Sequence, residues 1–329
     1  MIGLLGSGSW ATAIVKILLE KEGRELYWWV REPEIAEGLR RDGHNPAYLS
    51  EALIDMQRVH LSSDIREVAA HSDDLFLVVP SAFVAGALQP LSPETLQGKH
   101  VVSAVKGIVP EANQVVTDYL RDALRVDPAN MAIVSGPSHA EETAKNRLTY
   151  LTVASCNEAL VQHVRGLVAC PYVRTSASED MLGIEYGAVL KNIYAIATGL
   201  CHGLGYGDNI IAVLISNAMQ EMDAFLHRIE PMDSRQLEQY AYLGDLLVTC
   251  YSQFSRNRTF GSMIGFGYTV RAAQLEMKMV AEGYYAVRGI EGMRQAMGLR
   301  MPIEEAVYRV LYRHEVPAKV MRPVVESLH

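Results

Sequence analysis

The hydrophobic and polar positions divide the chain into two parts with different periodicities. In the first part, short apolar runs alternate with helical or loop segments. These runs span residues 2–5, 25–30, 58–62, 75–80, 101–105, 131–135 and 151–155. Such alternation predicts an α/β fold, a Rossmann-like doubly wound sheet that is mostly parallel. Ligands of such sheets bind at the carboxyl ends of the strands.

From about residue 179 onward the strand signals stop and amphipathic helical patterns continue to the end. The candidate helices span residues 209–225, 236–250, 269–283, 288–297, 303–312 and 320–328. The last of them repeats apolar residues at helical spacing. A chain of 329 residues suits about two domains. We therefore predict an α/β domain over residues 1–180 and an all-α domain over residues 181–329.

One apolar helix in the second part carries a single cation. Residues 185–209 read EYGAVLKNIYAIATGLCHGLGYGDN, in which Lys191 follows Leu190. A buried ammonium group is costly unless an anion lies beside it, and desolvation lowers its pKa toward the range of a proton shuttle. The alternative is a structural lysine whose ammonium group reaches water past its neighbours.

A glycine turn follows the first apolar run. The turn Gly6-Ser7-Gly8-Ser9-Trp10-Ala11 stands between a predicted strand and a predicted helix, the context in which GxGxx(G/A) indicates dinucleotide binding. Gly6 permits the tight turn and Gly8 lets the backbone approach a pyrophosphate. Free N–H groups at the helix N-terminus would face the phosphates.

The end of the second strand bears on which nicotinamide cofactor would bind. An acid there binds a ribose 2′-hydroxyl, whereas an arginine suits a 2′-phosphate. Arg31 favours NADP, and the neighbouring Glu32 keeps NAD open.

Other candidate residues lie at strand ends and in one loop. Lys106 follows one predicted strand, and Gly136 and Ser138 follow another. The loop Ser255-Arg256-Asn257 offers a hydroxyl, a guanidinium and an amide for a phosphate group, or is a solvated basic helix start. Asp245 precedes an apolar helical run, so it is either an N-cap or a buried anion paired with Lys191.

Composition narrows the classes of function. The formal net charge of −8 argues against general binding to nucleic acid or to anionic membranes. The four cysteines form no CxxC pair and read as small buried hydrophobes in a reducing compartment. No basic leader precedes the first apolar residues, so we expect a cytoplasmic protein without membrane insertion.

Taken together, the motifs resemble a known family. GSGSWATA, SAVKGIVPE, SGPSHAEE, GAVLKNIYAIATGL, GLGYGDN, LGDLLVTC, SRNRTFG and VAEG occur in this order along nearly the whole chain. The set resembles NAD(P)-dependent glycerol-3-phosphate dehydrogenase of the soluble bacterial type. The resemblance implies reversible hydride transfer between NAD(P)H and dihydroxyacetone phosphate, giving sn-glycerol 3-phosphate for phospholipid synthesis, with NADP or NAD as the cofactor.

The same resemblance implies roles at matching positions. Residues 1–180 would bind NAD(P) and residues 181–329 would bind substrate and carry the catalytic Lys191. The substrate would contact Lys106, Gly136, Ser138, Lys191, Asp245, Ser255, Arg256 and Asn257. The cofactor would contact Gly6, Gly8, Ser9, Trp10, Arg31, Lys106, Ala140, Arg256, Val280 and Glu282. Asn192 and Thr249 would make minor contacts. No metal is expected, and a homodimer is left open.

Three departures and two alternatives remain. Ala11 replaces the glycine that is common in the family, which the GxGxx(G/A) pattern permits, and His139 stands where the family often has an aromatic residue. Residues 230–242 form a shorter segment than the family pattern predicts, which bears on the helix packing near Asp245. The alternatives are another two-domain hydroxyacid dehydrogenase with a catalytic lysine, and a non-catalytic NAD(P)-binding sensor. The Ser255-Arg256-Asn257 loop argues against the first, and the joint presence of Lys191, Asp245 and Arg256 argues against the second.

Overall fold

The computed structural model describes residues 1–277 and 280–329, which group into two compact units. The first unit comprises Met1–Val105 and Val115–Met181, and the second comprises Lys106–Gln114 and Leu182–His329. A single boundary after residue 180 does not describe this grouping, because Lys106–Gln114 belongs with the later part of the chain.

The first unit is built on one β-sheet. Among the described residues, eight strands form it in the order β10-β9-β8-β5-β4-β1-β2-β3. They are β1 Ile2–Leu5, β2 Leu26–Trp29, β3 Val59–Ser62, β4 Asp74–Leu77, β5 His100–Ser103, β8 Met131–Ser135, β9 Thr149–Ala154 and β10 Val173–Ser178. Two short strands, β6 Ile108–Val109 and β7 Gln114–Val115, lie outside it. Neighbouring strands of this sheet pair in parallel except β8 with β9, so the predicted mostly parallel sheet is confirmed.

Helices connect these strands. They are α1 Ser9–Leu19, α2 Pro33–Asp42, α3 Ile65–Ala70, α4 Val84–Leu88, α5 Pro93–Leu96, α6 Val116–Leu124, α7 Ala140–Ala144 and α8 Glu158–Val168. The apolar faces of α1 and α8 pack with the sheet residues in one core that contains the fully buried Trp28 and Phe76. Sequence patterning missed β10, because this edge strand carries the polar run RTSAS and is only partly buried.

The second unit is helical. Its helices are α9 Met181–Gly203, α10 Asp208–Ile229, α11 Asp245–Tyr251, α12 Arg256–Gly265, α13 Val270–Glu276, α14 Glu282–Met297, α15 Pro302–Tyr312 and α16 Pro317–Ser327, with a π-helical turn at Tyr240–Gly244. Every residue of α9 from Gly183 to Cys201 is buried. A helix that is apolar all round belongs inside a protein, so α9 is the central helix of this unit.

Two of the predicted helices are wrong in their extent. The helix expected over residues 236–250 starts only at the π-helical turn and continues as α11. The helix expected over residues 269–283 is two helices, because the backbone is extended at Met277, after α13, and again at Ala281, before α14. Residues 278 and 279 lie outside the described part of the chain.

The cysteine prediction needs one correction. Cys201 and Cys250 are buried as expected, but Cys156 is exposed and Cys170 is half-buried. All four are free thiols. Of the helices in residues 1–277 and 280–329, none has both the length and the hydropathy that crossing a membrane requires.

Helices α9 and α12 cross with their backbones in close contact. A Cβ added to Gly199 would lie 2.1 Å from the Arg258 carbonyl oxygen, and one added to Gly261 would lie 2.2 Å from the Ile196 oxygen. One turn further on, Gly203 and Gly265 meet the opposite helix in the same way. Each helix thus carries a glycine pair at four-residue spacing, and only glycine allows this approach.

We expect Gly261→Ala to lower the free energy of unfolding by about 1–3 kcal/mol, because the new methyl group would push two backbones apart. Chemical denaturation followed by circular dichroism measures the change. The matched control is Gly292→Ala in α14, where no described atom lies within 4 Å of the added Cβ. It should stabilise by up to about 1 kcal/mol. Equal effects of the two substitutions would contradict the close crossing.

Candidate active site

Lys191 lies at the centre of a buried group of charges in the second unit. Its ammonium nitrogen donates hydrogen bonds to Asp245 Oδ1 and, over 3.1 Å, to Thr249 Oγ1. Lys106 Nζ donates to the other carboxylate oxygen of Asp245 over 3.1 Å. Lys191 is 5% exposed and Asp245 1%. The interpretation of Lys191 as a lysine that reaches water is therefore wrong, and so is that of Asp245 as an N-cap, since Gly244 holds that position.

Burial and charge act in opposite directions on the pKa of Lys191. Desolvation dominates and, with repulsion from Lys106, lowers this pKa to about 7, although Asp245 acts to raise it. Burial also opposes ionisation of Asp245, but attraction from Lys106 and Lys191 outweighs it and lowers the pKa of this carboxyl. One carboxylate is thus shared by two amines, and one of these amines titrates near neutral pH.

A chain of side-chain amides connects this group to helices α12 and α14. Asn192 Nδ2 donates to the Lys106 carbonyl oxygen over 2.8 Å, and Asn257 Nδ2 donates to Asn192 Oδ1 over 2.9 Å. Asn257 Oδ1 in turn accepts from the Gly283 backbone N–H over 2.9 Å. Because both amides are buried and doubly bonded, they fix Lys106 relative to Lys191, the neighbour of Asn192 in the chain.

The predicted phosphate loop forms the start of α12. Ser255 is the N-cap, and its hydroxyl accepts from the Arg258 N–H over 3.3 Å. Ser255 and Asn257 are buried, whereas Arg256 is half-buried. The first turn contains no acidic residue, so a helix N-terminus and a guanidinium group lie together where an anion would be favourable.

In the first unit, the glycine turn meets the requirements of a dinucleotide site. Gly6 has φ +131°, and a Cβ there would lie 2.3 Å from the Val78 carbonyl oxygen. At Gly8, the N-cap of α1, no described atom lies within 4 Å of the Cβ position, and no described side chain caps the helix. Trp10 Nε1 is buried without a hydrogen-bond partner among the described residues. The turn thus leaves open backbone beside a helix N-terminus, which fits a pyrophosphate.

Two residues that are distant from this turn in the sequence donate hydrogen bonds to its backbone. Trp28 Nε1 donates to the Gly6 carbonyl oxygen over 2.6 Å. The fully buried Asn45 donates to the Ser7 carbonyl oxygen and to Thr12 Oγ1, both over 2.9 Å. The motif itself contains no signal for either residue, and sequence reasoning missed both.

Arg31 is hydrogen-bonded to Glu32, which is in turn hydrogen-bonded to the glycine turn. Glu32 accepts from Ser7 Oγ over 2.6 Å and from Arg31 Nη2 over 2.9 Å. Burial opposes ionisation of Glu32, but the hydrogen bonds from Ser7 and Arg31 outweigh it and lower the pKa of this carboxyl. The guanidinium group of Arg31 remains largely exposed. Glu32, which could bind the ribose of NAD, and Arg31, which could bind the 2′-phosphate of NADP, therefore form an ion pair with each other.

The other predicted site residues lie in two stretches of the chain. One follows β8 and extends to the first residue of α7, and the other includes the first residue of α14. Gly136 has φ +122°, and its carbonyl oxygen accepts from Ser138 Oγ over 3.0 Å. Ala140 is the buried first residue of α7. Val280 is half-buried, and Glu282 is the first residue of α14. Within the second unit, the structure thus joins Lys106, Lys191, Asp245 and Asn257 in one network, which also includes the two expected minor residues, Asn192 and Thr249.

The chain is similar to known proteins over nearly its whole length. The models described as NAD-dependent glycerol-3-phosphate dehydrogenase N-terminus and C-terminus match residues 1–161 and 180–322. A glycerol-3-phosphate dehydrogenase (NAD(P)+) of Salinibacter ruber is 35% identical over 98% of this chain and 94% of its own. The Escherichia coli enzyme of that name is 33% identical over 94% and 90%.

Solved structures agree with these matches. A glycerol-3-phosphate dehydrogenase from Coxiella burnetii superimposes with a TM-score of 0.92 and 28% identity, over 99% of this chain and 98% of its own. A ketopantoate reductase from Ralstonia eutropha reaches a TM-score of 0.61 at 16% identity, over 98% and 99% of the two chains. The latter likeness concerns the fold alone.

We expect Asp245→Asn to destabilise the protein by roughly 3 kcal/mol at pH 6, because two buried amines would lose their shared anion. The loss should be smaller at pH 9, above the lowered pKa of Lys191, where that amine is neutral in the folded protein. Urea unfolding at the two pH values measures both numbers. Asp42→Asn, which breaks an exposed pair with Arg41, is the control and should change little at either pH. A pH-independent loss in Asp245→Asn would contradict the assigned titration.

Proposed function

The chain belongs to the NAD-dependent glycerol-3-phosphate dehydrogenase family, and we propose how its own residues carry out the reaction. It is an NAD(P)-dependent oxidoreductase that interconverts dihydroxyacetone phosphate and sn-glycerol 3-phosphate, a phospholipid precursor. The observation that carries the proposed mechanism is the buried Lys191 amine, which shares Asp245 with Lys106. Neither the hydroxyacid dehydrogenase nor the non-catalytic sensor is favoured.

Lys191 acts as the general acid of reduction and the general base of oxidation. When bound, the nicotinamide cofactor supplies or accepts the hydride. In reduction, the Lys191 ammonium group stabilises the negative charge that develops on the carbonyl oxygen and transfers a proton to it. In oxidation, the neutral amine takes the hydroxyl proton. A pKa of about 7 suits both directions near neutral pH.

Asp245, Thr249 and Lys106 set the direction and charge of that amine. A lysine ammonium group has three N–H donors, and Asp245 and Thr249 accept two of them. The third is the one we assign to the substrate oxygen. Lys106 adds a second cation, so the three charged side chains together carry a net positive charge. This local excess meets a dianionic substrate within a chain whose overall charge is −8.

The phosphate group of the substrate is assigned to the start of α12. Ser255, Arg256 and Asn257 offer a hydroxyl, a guanidinium and an amide beside a helix N-terminus. Binding the remote phosphate orients the carbonyl group for hydride transfer. We also assign substrate contacts to Gly136 and Ser138.

The cofactor is assigned first to the glycine turn. Gly6, Gly8, Ser9 and Trp10 would hold the pyrophosphate, and Arg31 would hold a 2′-phosphate when NADP is bound. Further cofactor contacts are assigned to Lys106, Ala140, Arg256, Val280 and Glu282. We therefore assign cofactor binding mainly to residues 1–180, and catalysis and most of substrate binding to residues 181–329 together with Lys106.

Location and assembly are also part of the proposal. The free thiols, one of them exposed, support a reducing compartment, and we propose the cytoplasm. We propose a homodimer because large apolar side chains are exposed in the second unit, among them Phe254, Phe266 and Leu275. Sedimentation equilibrium should give twice the 36.4 kDa chain mass, and a monomer would contradict the dimer.

We expect Lys191→Met to lower kcat/KM about 10²–10⁴-fold in both directions while NADPH affinity, read by fluorescence titration, is kept. In the wild type, reduction should fall above about pH 7 and oxidation should rise through the same pH, because the two directions need opposite protonation states of Lys191. In the Lys191→Met variant, the residual rates of reduction and of oxidation should no longer change around pH 7. Assays with dihydroxyacetone phosphate and each of NADH and NADPH measure this at the nicotinamide absorbance band.

The matched control is Lys145→Met, which removes an exposed lysine paired with Glu51 in the first unit. It should leave the pH profiles unchanged. Wild-type turnover in Lys191→Met would show that the proton comes from another group.

A further inference from the structure

Three side chains with metal-binding chemistry converge in the first unit, at residues that the dehydrogenase mechanism does not use. Asp74 is the first residue of β4 and His100 is the first residue of β5. The two strands pair in parallel with Asp74 directly opposite His100. His163 comes from α8. The residues therefore stand on two strands and a helix, which hold a site more rigidly than loops do.

The ligand atoms face one another at short distances. His100 Nδ1 lies 2.8 Å from Asp74 Oδ1, and His163 Nε2 lies 2.9 Å from the same oxygen. All three ligand atoms lie within 4.8 Å of one another. With metal–ligand bonds of about 2.0–2.2 Å, neighbouring ligand atoms are roughly 3 Å or slightly more apart. A small outward movement of the two rings would admit an ion.

We propose that Asp74, His100 and His163 bind one divalent transition-metal ion, with Zn²⁺ as the representative of the class. Imidazole nitrogens suit Zn²⁺, Cu²⁺ and Ni²⁺, whereas Mg²⁺ requires oxygen ligands. The Asp74 side chain is 9% exposed, and those of His100 and His163 are 36% and 43% exposed. The carboxylate is thus shielded, while the rings leave a path for the ion and for water as a further ligand.

Arg24 is attracted electrostatically to Asp74, but the neighbouring cations donate their hydrogen bonds elsewhere. Arg24 donates through one guanidinium nitrogen to the carbonyl oxygens of Leu18 and Leu167, over 2.9 and 2.7 Å. Lys99 donates to the Ser72 carbonyl oxygen over 2.7 Å. These bonds direct both side chains toward backbone oxygens, so neither takes the place of the ion at Asp74 Oδ1. Because a bound ion would join β4, β5 and α8, its effect would be to stabilise the first unit.

The test is a Zn²⁺ titration of the metal-free full-length chain by calorimetry, together with thermal unfolding with and without Zn²⁺. The wild type should bind one ion and show a higher Tm with Zn²⁺. His163→Ala and Asp74→Asn should each weaken binding at least about tenfold, since loss of a mere outer-shell partner already costs that much. They should also lose the Zn²⁺-dependent rise in Tm. Excess Mg²⁺ should not compete.

Two controls make the result specific. His60→Ala removes an exposed histidine of the same unit that pairs with Glu25, and it should bind Zn²⁺ as the wild type does. Cys156→Ser removes the exposed thiol, which is a soft metal ligand, and it should also bind normally. Retained NADPH binding and turnover in His163→Ala show that the variant is folded.

Three outcomes would overturn the proposal. The first is the absence of saturable Zn²⁺ binding by the wild type, which would leave Asp74 as a carboxylate that only orients two imidazoles. The second is binding by His163→Ala and Asp74→Asn with wild-type affinity. The third is loss of binding in Cys156→Ser but not in His163→Ala, which would assign the ion to the thiol.

Discussion

The proposed mechanism depends on one buried carboxylate that is shared by two amines. Asp245 accepts from both Lys106 and Lys191, and all three side chains are largely or fully removed from water. Burying two ammonium groups is unfavourable, and a single anion compensates for only part of that cost. Burial of Lys191, the more deeply buried amine, is the main cause that lowers its pKa to about 7, and repulsion from Lys106 adds to it. In the proposed mechanism, this lowered pKa lets Lys191 donate and accept a proton near neutral pH.

The rest of the second unit keeps that arrangement in place. Helix α9 presents Lys191 and Asn192 from its centre, and its close glycine crossing with α12 brings Asn257 within hydrogen-bond distance of Asn192. Asn192 also binds the backbone of Lys106. Without the glycines the helices would stand further apart, and the amide chain could not reach from one to the other. The packing of backbone against backbone therefore has a direct consequence for the position of the charges.

The sequence predicts the local features of this structure well and the distant ones poorly. The strands, the glycine turn with its strand and helix, and the apolar helix around Lys191 follow from patterns within about twenty residues. The pairing of Lys191 with Asp245 could only be offered as one of two alternatives, because 54 residues separate them. Trp28 and Asn45, which hold the glycine turn, were missed, since nothing near either residue marks it as a partner of Gly6 or Ser7. Likewise, α13 ends and α14 begins without a glycine or proline at the extended Met277 or Ala281 to signal the break.

The most direct test of the account is the ionisation of one amine. Lysines labelled with ¹³C at Cε and ¹⁵N at Nζ can be titrated by NMR in the protein without ligands, with Lys191→Met to assign the resonance. The Lys191 amine should titrate near pH 7, well below the ordinary lysine pKa of about 10.4. A Lys191 resonance that titrates at the ordinary lysine value would contradict the proposed mechanism.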